Sequence, residues 1–217
     1  MYKKNAKVTI IDYGIGNLFS IERALSYVGA DTLITDDPLN IVSADRVILP
    51  GVGAFGVGFE ELKKRLLIDS IKDFIKKDRP LLGICLGMQL LMSKSYEFGL
   101  NKGLDLVSGE VVRFRDPEPG NDNFKIPHIG WNKAEFSSEH SSRLDSILKR
   151  IPSGSFFYFV HSYVTVMRDI NDIAAESQYG RDRFCSILNK GNIWGCQFHP
   201  EKSGKVGLKL LENFCSL

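Results

Sequence analysis

The chain has 217 residues, enough for one domain or at most two small ones and for a core that needs neither disulfides nor a metal. Hydrophobic residues make up 43% and charged residues 25%, which excludes an intrinsically disordered chain. With 28 Lys and Arg against 26 Asp and Glu, the formal charge of +2 gives no general pull toward nucleic acid or an anionic membrane.

In chain order, residues 7–11 are mostly apolar and β-branched and end at Asp12-Tyr-Gly-Ile-Gly16, which predicts a buried strand closed by a glycine turn. Asn17 is a candidate N-cap for a helix carrying Ile21, Ala24, Leu25 and Val28 on one face, with Gly29 as its stop. Leu33-Ile34 and Arg46–Leu49 predict two further short strands, the second halted by Pro50-Gly51. Helical patterns follow at about 57–67 and 69–77. Pro80–Ile84 reads as a fourth strand, followed by Cys85 and a helix from Leu86 to about Met92. Strands alternating with helices predict parallel strands with helices on both faces.

The second half is richer in strands. Val111-Val112, Lys125-Ile126, Phe156–Val160, Ile173–Ser177, Cys185–Leu188 and Ile193–Cys196 are the predicted segments. Residues 115–123 read as a polar loop, a short helix is expected around Leu144–Lys149, and a last helix from about Gly204 to Phe214. No repeat or linker interrupts the chain. The expectation is one α/β domain over 1–217, with an open, mixed, mostly parallel central sheet and flanking helices.

No run of about 18 apolar residues occurs, so no transmembrane helix is predicted, and Val8–Ile11 is too short for a signal-peptide core. The cysteines at 85, 185, 196 and 215 form no C-x-x-C pair, which disfavours a zinc ribbon or thioredoxin-like motif and reads as reduced thiols. The expected setting is cytoplasmic, with no metal and no cofactor.

Gly83-Ile-Cys85-Leu-Gly87 sits between a strand and a helix. A sharp turn there lifts the central side chain out of the sheet, and flanking glycines remove Cβ atoms that would collide. A helix N-terminus beside the sulfur favours its thiolate. The alternative is a buried core cysteine. Gln197-Phe-His199-Pro-Glu201 supplies a possible base: Pro200 favours an extended His199, and extended residues at i and i+2 share a side, which sets Glu201 beside the imidazole. Of the other histidines, His140 lies in a polar stretch, and neither it nor His128 or His161 has a carboxylate two residues away. Pro50-Gly-Val-Gly53 could aim backbone N–H groups as an oxyanion hole. Gly51, Gly53 and Gly56 also fit G-x-G-x-x-G, a rival dinucleotide reading disfavoured because the motif follows the third strand, not the first.

Gly83–Gln89 together with Gln197–Glu201 resembles the class I, triad-type glutamine amidotransferases. Asp12-Tyr-Gly-Ile-Gly-Asn17, Pro127-His-Ile-Gly-Trp-Asn132 and Phe157-Tyr-Phe-Val-His-Ser-Tyr163 resemble one branch, the amidotransferase subunits of imidazole glycerol phosphate synthase. The resemblance covers nearly the whole chain. It implies a triad of Cys85, His199 and Glu201, with Gly53 and Leu86 as the oxyanion hole. It further implies glutamine binding by Gln89, Glu97 and the backbone of Ser162 and Tyr163, a structural role for His161, and a partner-facing surface with Asn17, Trp131 and Lys202. Ordinary core burial for Trp131 and a solvated charge for Lys202 are the plainer readings.

The implied partner is a (βα)8-barrel cyclase, in a heterodimer, that takes the ammonia and makes imidazole glycerol phosphate and an aminoimidazole carboxamide ribotide in histidine biosynthesis. Three alternatives stay open at this point. One is a paralogue feeding another synthase, for instance in surface-sugar amination. Another is a class I relative from anthranilate or CTP synthesis, which the His-Ser-Tyr and Gly-Trp-Asn segments argue against. The third is a catalytically silent subunit on the same fold.

Overall fold

A computed structural model describes residues 6–116, 125–137 and 147–217. Among them, a nine-stranded sheet runs in the order β2-β1-β3-β4-β13-β12-β11-β8-β9, and a four-stranded sheet in the order β10-β7-β5-β6. The parallel part of the large sheet consists of β2 (Ala30–Thr35), β1 (Ala6–Ile11), β3 (Val47–Leu49), β4 (Leu81–Ile84) and β13 (Ile193–Cys196). Antiparallel pairing extends it through β12 (Asp182–Lys190), β11 (Ile173–Tyr179), β8 (His128–Phe136) and β9 (Ser155–His161).

Both faces of the parallel part are covered, and the strand period of two sorts its side chains between them. Val8, Ile10, Ile48, Leu82 and Ile84 join one cluster with Ile21, Ala24 and Leu25 of α1 (Leu18–Tyr27) and Leu210, Leu211 and Phe214 of α6 (Gly204–Phe214). Ile11, Val47, Leu49 and Leu81 point the other way. They pack with Ile41 of α2 (Pro38–Ser43), Leu62 of α3 (Phe55–Lys64), Phe74 of α4 (Leu67–Ile75) and Leu90 of α5 (Leu86–Leu90). Met92 of β5 (Met92–Ser95) and Val107 and Val111 of β7 (Val107–Arg113) join that second cluster and seat the small sheet on it. That sheet is completed by β6 (Asn101–Lys102) and β10 (Tyr163–Met167).

The predicted alternation holds through the first half with two adjustments, and one predicted strand of the second half is absent. The turn at Asp37-Pro38 starts a short helix, α2, where the sequence reading left a connection: the Asp37 carboxylate accepts from the Leu39 N–H at 2.8 Å and Pro38 occupies the first turn. The helix after Cys85 stops at Leu90, and the apolar run carries on as strand β5. A short apolar run does not distinguish helix from buried strand, which explains the overextension. Lys125-Ile126 is not a strand; pairing starts at His128, beyond the cis Ile126–Pro127 bond. Residues 117–124 and 138–146 lie outside the described residues, and with them most of the 115–123 loop, His140 and half of the helix expected at Leu144–Lys149, whose described half, 147–149, is a turn. No helix of the described residues is long and apolar enough to cross a membrane.

The facing pair His128 and His161 ties β8 to β9. His161 donates through Nδ1 to the Tyr163 carbonyl at 2.9 Å, which leaves its Nε2 to accept from His128 Nδ1 at 3.1 Å. His128 stacks between Phe159 and Tyr179, at centroid distances of 4.9 and 3.9 Å. Burial pushes the pKa of His128 down to about 4 and that of His161 down to about 3, so both are neutral in the fold.

The unfolded chain binds more protons below about pH 6.5 than the folded one, so stability is present above that pH and lost as pH falls toward 4 and 3. From His161 alone the slope reaches about 1.4 kcal/mol per pH unit. Urea unfolding between pH 7 and 5 should show this decline, and H161Q should flatten it. A wild-type midpoint independent of pH over that range would contradict the neutral pair.

Candidate active site

The parallel register of β13 on β4 pairs Cys196 with Ile84, and the Cys85 N–H donates to the Cys196 carbonyl at 2.8 Å. The two chain segments that leave these strand ends therefore start side by side. One is Cys85 followed by α5; the other is Gln197-Phe-His199. Cys85 has φ 52° and ψ −108°, a conformation that L residues rarely adopt and that is characteristic of a strand-to-helix elbow. The glycines on either side are sterically required. A Cβ on Gly87 would strike the Leu49 carbonyl, and one on Gly83 would lie 2.8 Å from the Met88 nitrogen.

Cys85 lines a cavity of about 420 Å³. Val52, Gly53, Leu86, Gln89, Glu97, Phe98, Val160, His161, Ser162, Tyr163 and His199 form the rest of its wall. Every residue that the resemblance assigned to the nucleophile, the oxyanion hole and the glutamine site is thus in one cleft. Gly53 has φ +93°, and a Cβ there would meet nothing within 4 Å. Its glycine is needed for conformation, not for space. Gly51 packs instead against Tyr13 and Leu86, and the Tyr13 hydroxyl donates to the Pro50 carbonyl at 2.6 Å. That position of the G-x-G-x-x-G match is therefore filled by side chains and leaves no cradle for a pyrophosphate.

His199 is extended, with φ −100° and ψ 97°, as Pro200 requires. Its Nδ1 lies 2.8 Å from Glu201 Oε1, and the two side chains are only 3% and 1% exposed. The expected contact is present, but the expected reason is not. Pro200–Lys202 turn as one 3-10 turn, so Glu201 reaches the imidazole by curling back instead of by strand alternation. Ser203 Oγ donates to the His199 carbonyl at 2.7 Å and the His199 N–H to the Tyr158 carbonyl at 2.9 Å, which fixes the backbone of the pair.

With Nδ1 engaged, Nε2 is the atom left for chemistry. It makes no hydrogen bond of regular geometry among the described residues, so its approach to the Cys85 sulfur is looser than one. Burial lowers the His199 pKa, but hydrogen bonding and charge from Cys85 and Glu201 outweigh it and push it up to about 10. The cleft therefore sets a histidine held toward its charged form beside the Cys85 sulfur.

Gln89 donates through Nε2 to the Tyr163 carbonyl and to Gln197 Oε1, both at 3.0 Å, which leaves its Oε1 as an acceptor. Glu97 is buried, and Oε2 accepts from the Phe55 N–H at 2.6 Å. Burial raises the pKa of Glu97 against that hydrogen bond, and a cationic group beside it would favour its charged form. Outside the cleft, Asn17, Lys202 and Trp131 are all exposed. Asn17 caps α1 by accepting from the Ser20 N–H at 3.3 Å. Trp131 is 55% exposed, which overturns the core-burial alternative, and its ring meets Tyr158 edge-on at 6.1 Å. Gln197 and Tyr13 were not singled out by the sequence reading. The first sits within the histidine motif and the second within the first glycine turn, and neither residue type advertises a role.

The family model "Glutamine amidotransferase class-I" matches residues 9–216. The chain belongs to the class I glutamine amidotransferases. "Imidazole glycerol phosphate synthase subunit HisH 1" of Legionella pneumophila (strain Paris) is 44% identical over 214 residues, covering 98% of this chain and 100% of that protein. "Imidazole glycerol phosphate synthase subunit HisH" of Salinibacter ruber is 45% identical over 210 residues, covering 96% and 94%. That of Methanosarcina barkeri is 44% identical over 212 residues, covering 97% and 98%. Among solved structures, one described as a glutamine amidotransferase aligns with a TM-score of 0.68 at 15% identity over 97% of this chain and 99% of that one. The glutaminase domain of Trypanosoma brucei CTPS with bound acivicin aligns with a TM-score of 0.62 at 16% identity, covering 97% and 91%. At these identities, the structural matches carry the amidotransferase fold alone.

The remaining cysteines are inert by environment. Burial pushes the pKa of Cys215 up to about 11 and also raises those of Cys185 and Cys196. Iodoacetamide at pH 7.5 should add one carboxamidomethyl group to the folded chain, at Cys85, by peptide mass mapping. Modification of Cys185, Cys196 or Cys215 at a comparable rate would contradict the site.

Proposed function

We propose that this chain is the glutaminase subunit of imidazole glycerol phosphate synthase, hydrolysing L-glutamine to L-glutamate and ammonia. The observation that carries the chemistry is the elbow cysteine sharing one cleft with a buried His199–Glu201 pair at 2.8 Å. The relatives named above carry the pathway.

In this reading, the Cys85 thiolate attacks the side-chain amide carbon of glutamine. The C–S bond forms and the carbonyl oxygen becomes an oxyanion facing the backbone N–H groups of Gly53 and Leu86. Such donors are worth about 3–4 kcal/mol each. The intermediate collapses as His199 gives its Nε2 proton to the departing nitrogen, which leaves as ammonia. A γ-glutamyl thioester remains. His199 then takes a proton from water, the resulting hydroxide displaces the sulfur, and glutamate is freed. Glu201 holds the imidazole in the tautomer that keeps Nε2 free.

The α-ammonium of glutamine fits between Gln89 Oε1 and Glu97, the acceptor and the carboxylate left without a cation. The backbone of Ser162 and Tyr163 completes the glutamine site. Because free ammonia is protonated in water, the hydrolysis is useful only against a synthase. The partner is the cyclase subunit, read as a (βα)8 barrel, docked on the face that presents Asn17, Trp131 and Lys202, in a cytoplasmic heterodimer. Trp131 touches Tyr158 of β9, whose carbonyl holds the His199 N–H, so the docking face and the base both contact that strand. The cyclase uses the ammonia to make imidazole glycerol phosphate and an aminoimidazole carboxamide ribotide in histidine biosynthesis.

Glutamate release should be low for the chain alone and rise strongly with the cyclase and its ribotide ligand. Activity indifferent to the cyclase would contradict the pathway, and no hydrolysis in any mixture would contradict the enzyme. In the full complex, C85A should lose roughly 10⁶-fold and E201Q roughly 10⁴-fold, because an orienting residue leaves more residual rate than a nucleophile. Equal losses would contradict the division of roles. The glutamine KM should rise as pH falls through the raised pKa of Glu97, and E97Q should abolish that rise.

A further inference from the structure

Gln197 lies one residue beyond the strand end that holds the Cys85 N–H, and its side chain is fully buried. A buried amide must be satisfied at both ends, and here the neighbours decide which end is which. The Tyr163 carbonyl can only accept, so it takes an N–H of Gln89 at 3.0 Å. The second N–H of Gln89 goes to Gln197 at 3.0 Å, and so the atom it meets is Oε1. That leaves Gln197 Nε2 directed at the sulfur of Cys85, 3.7 Å away. The backbone is pinned as well, since the Gln197 N–H donates to the Ser186 carbonyl at 3.0 Å.

The sulfur has a second polar neighbour, the Val160 carbonyl at 4.0 Å. A carbonyl only accepts, so that contact requires the S–H proton. The Gln197 amide donates, so its contact is strongest when the proton is gone. The two partners thus favour opposite states of Cys85. Other titratable groups around it are His199 with Glu201, Tyr13 and Cys196. Burial keeps Tyr13 and Cys196 protonated at neutral pH.

We propose that Gln197 is a positioning residue, whose side-chain N–H holds the Cys85 sulfur in its attacking position and favours its thiolate, and that Gln89 aims it. The proposal rests on the reading of Cys85 as the nucleophile. It gives Gln89 a second task beside glutamine binding.

The test is the rate of Cys85 alkylation by iodoacetamide on the full chain as a function of pH, with the adduct located by mass spectrometry. Iodoacetamide has no α-ammonium, so the readout is separate from glutamine binding. Gln197→Met should move the profile to higher pH by about one unit, so that alkylation slows up to about tenfold on the low-pH limb and converges on the wild-type rate at high pH. Gln89→Met should move it in the same direction, and the double variant no further than Gln197→Met alone. A Gln197→Met profile that superimposes on wild type overturns the proposal, and so do additive shifts in the double variant. If Gln197→Met fails to fold, an unshifted Gln89→Met profile overturns it alone, because that variant leaves Gln197 in place but unaimed. A wild-type chain whose Cys85 resists alkylation at every pH instead removes the nucleophile reading itself.

Discussion

The site depends on one strand pairing, β13 alongside β4. Without it, Cys85 and the Gln197–Glu201 segment, 112 residues apart at their closest contact, share no surface. Parallel neighbours end at the same edge of a sheet, and in open α/β sheets that edge is where ligands bind. The pairing also sets the register. Cys196 opposite Ile84 makes Cys85 and Gln197 the first residues past their strands, so a slip of one residue would turn the sulfur or the amide away from the cleft.

Charge is the second constraint. His199 and Glu201 are almost wholly removed from water, and a lone buried charge of either sign is costly. Each is tolerated because of the other, and the imidazolium is further matched by the sulfur. Glu201 Oε2 has no hydrogen-bond partner among the described residues, so Oε1 carries the contact with His199. The neighbouring pair His128 and His161 is also buried but has no carboxylate partner among the described residues, and burial holds it toward the neutral form. The same residue type is thus held toward its charged form in one place and kept as an uncharged brace in the wall of the same cleft. What separates them is the Cys85 sulfur together with the glutamate two residues after His199 in the chain.

Much of this could be read from the sequence because its signals are local. The elbow glycines, the Pro50 stop, the Asn17 cap and the two-faced strands of the first half each follow from a few adjacent residues. The grouping of Gly53, Cys85, Gln89, Glu97, Ser162, Tyr163 and His199 in one cleft followed from the family resemblance, not from the residues alone. What escaped is nonlocal or short. The small sheet joins β10 to β7, β5 and β6, partners that no local pattern links. Strand β5 continues an apolar run that looks helical, and α2 is only six residues long. The His199–Glu201 contact was anticipated from strand alternation and is made by a 3-10 turn. Gln197 was invisible as more than part of a motif, because its value lies in which atom faces the sulfur, and that is decided by Gln89 and Tyr163 from two other elements.

The central claim is that Cys85 carries the glutamyl group. The most direct measurement is the peptide mass map of the chain, acid-quenched during turnover of glutamine in complex with the cyclase and its ligand. The account predicts one γ-glutamyl group, on the peptide containing Cys85, released by hydroxylamine. Glutamate formed with no such adduct, or an adduct on another residue, would contradict it.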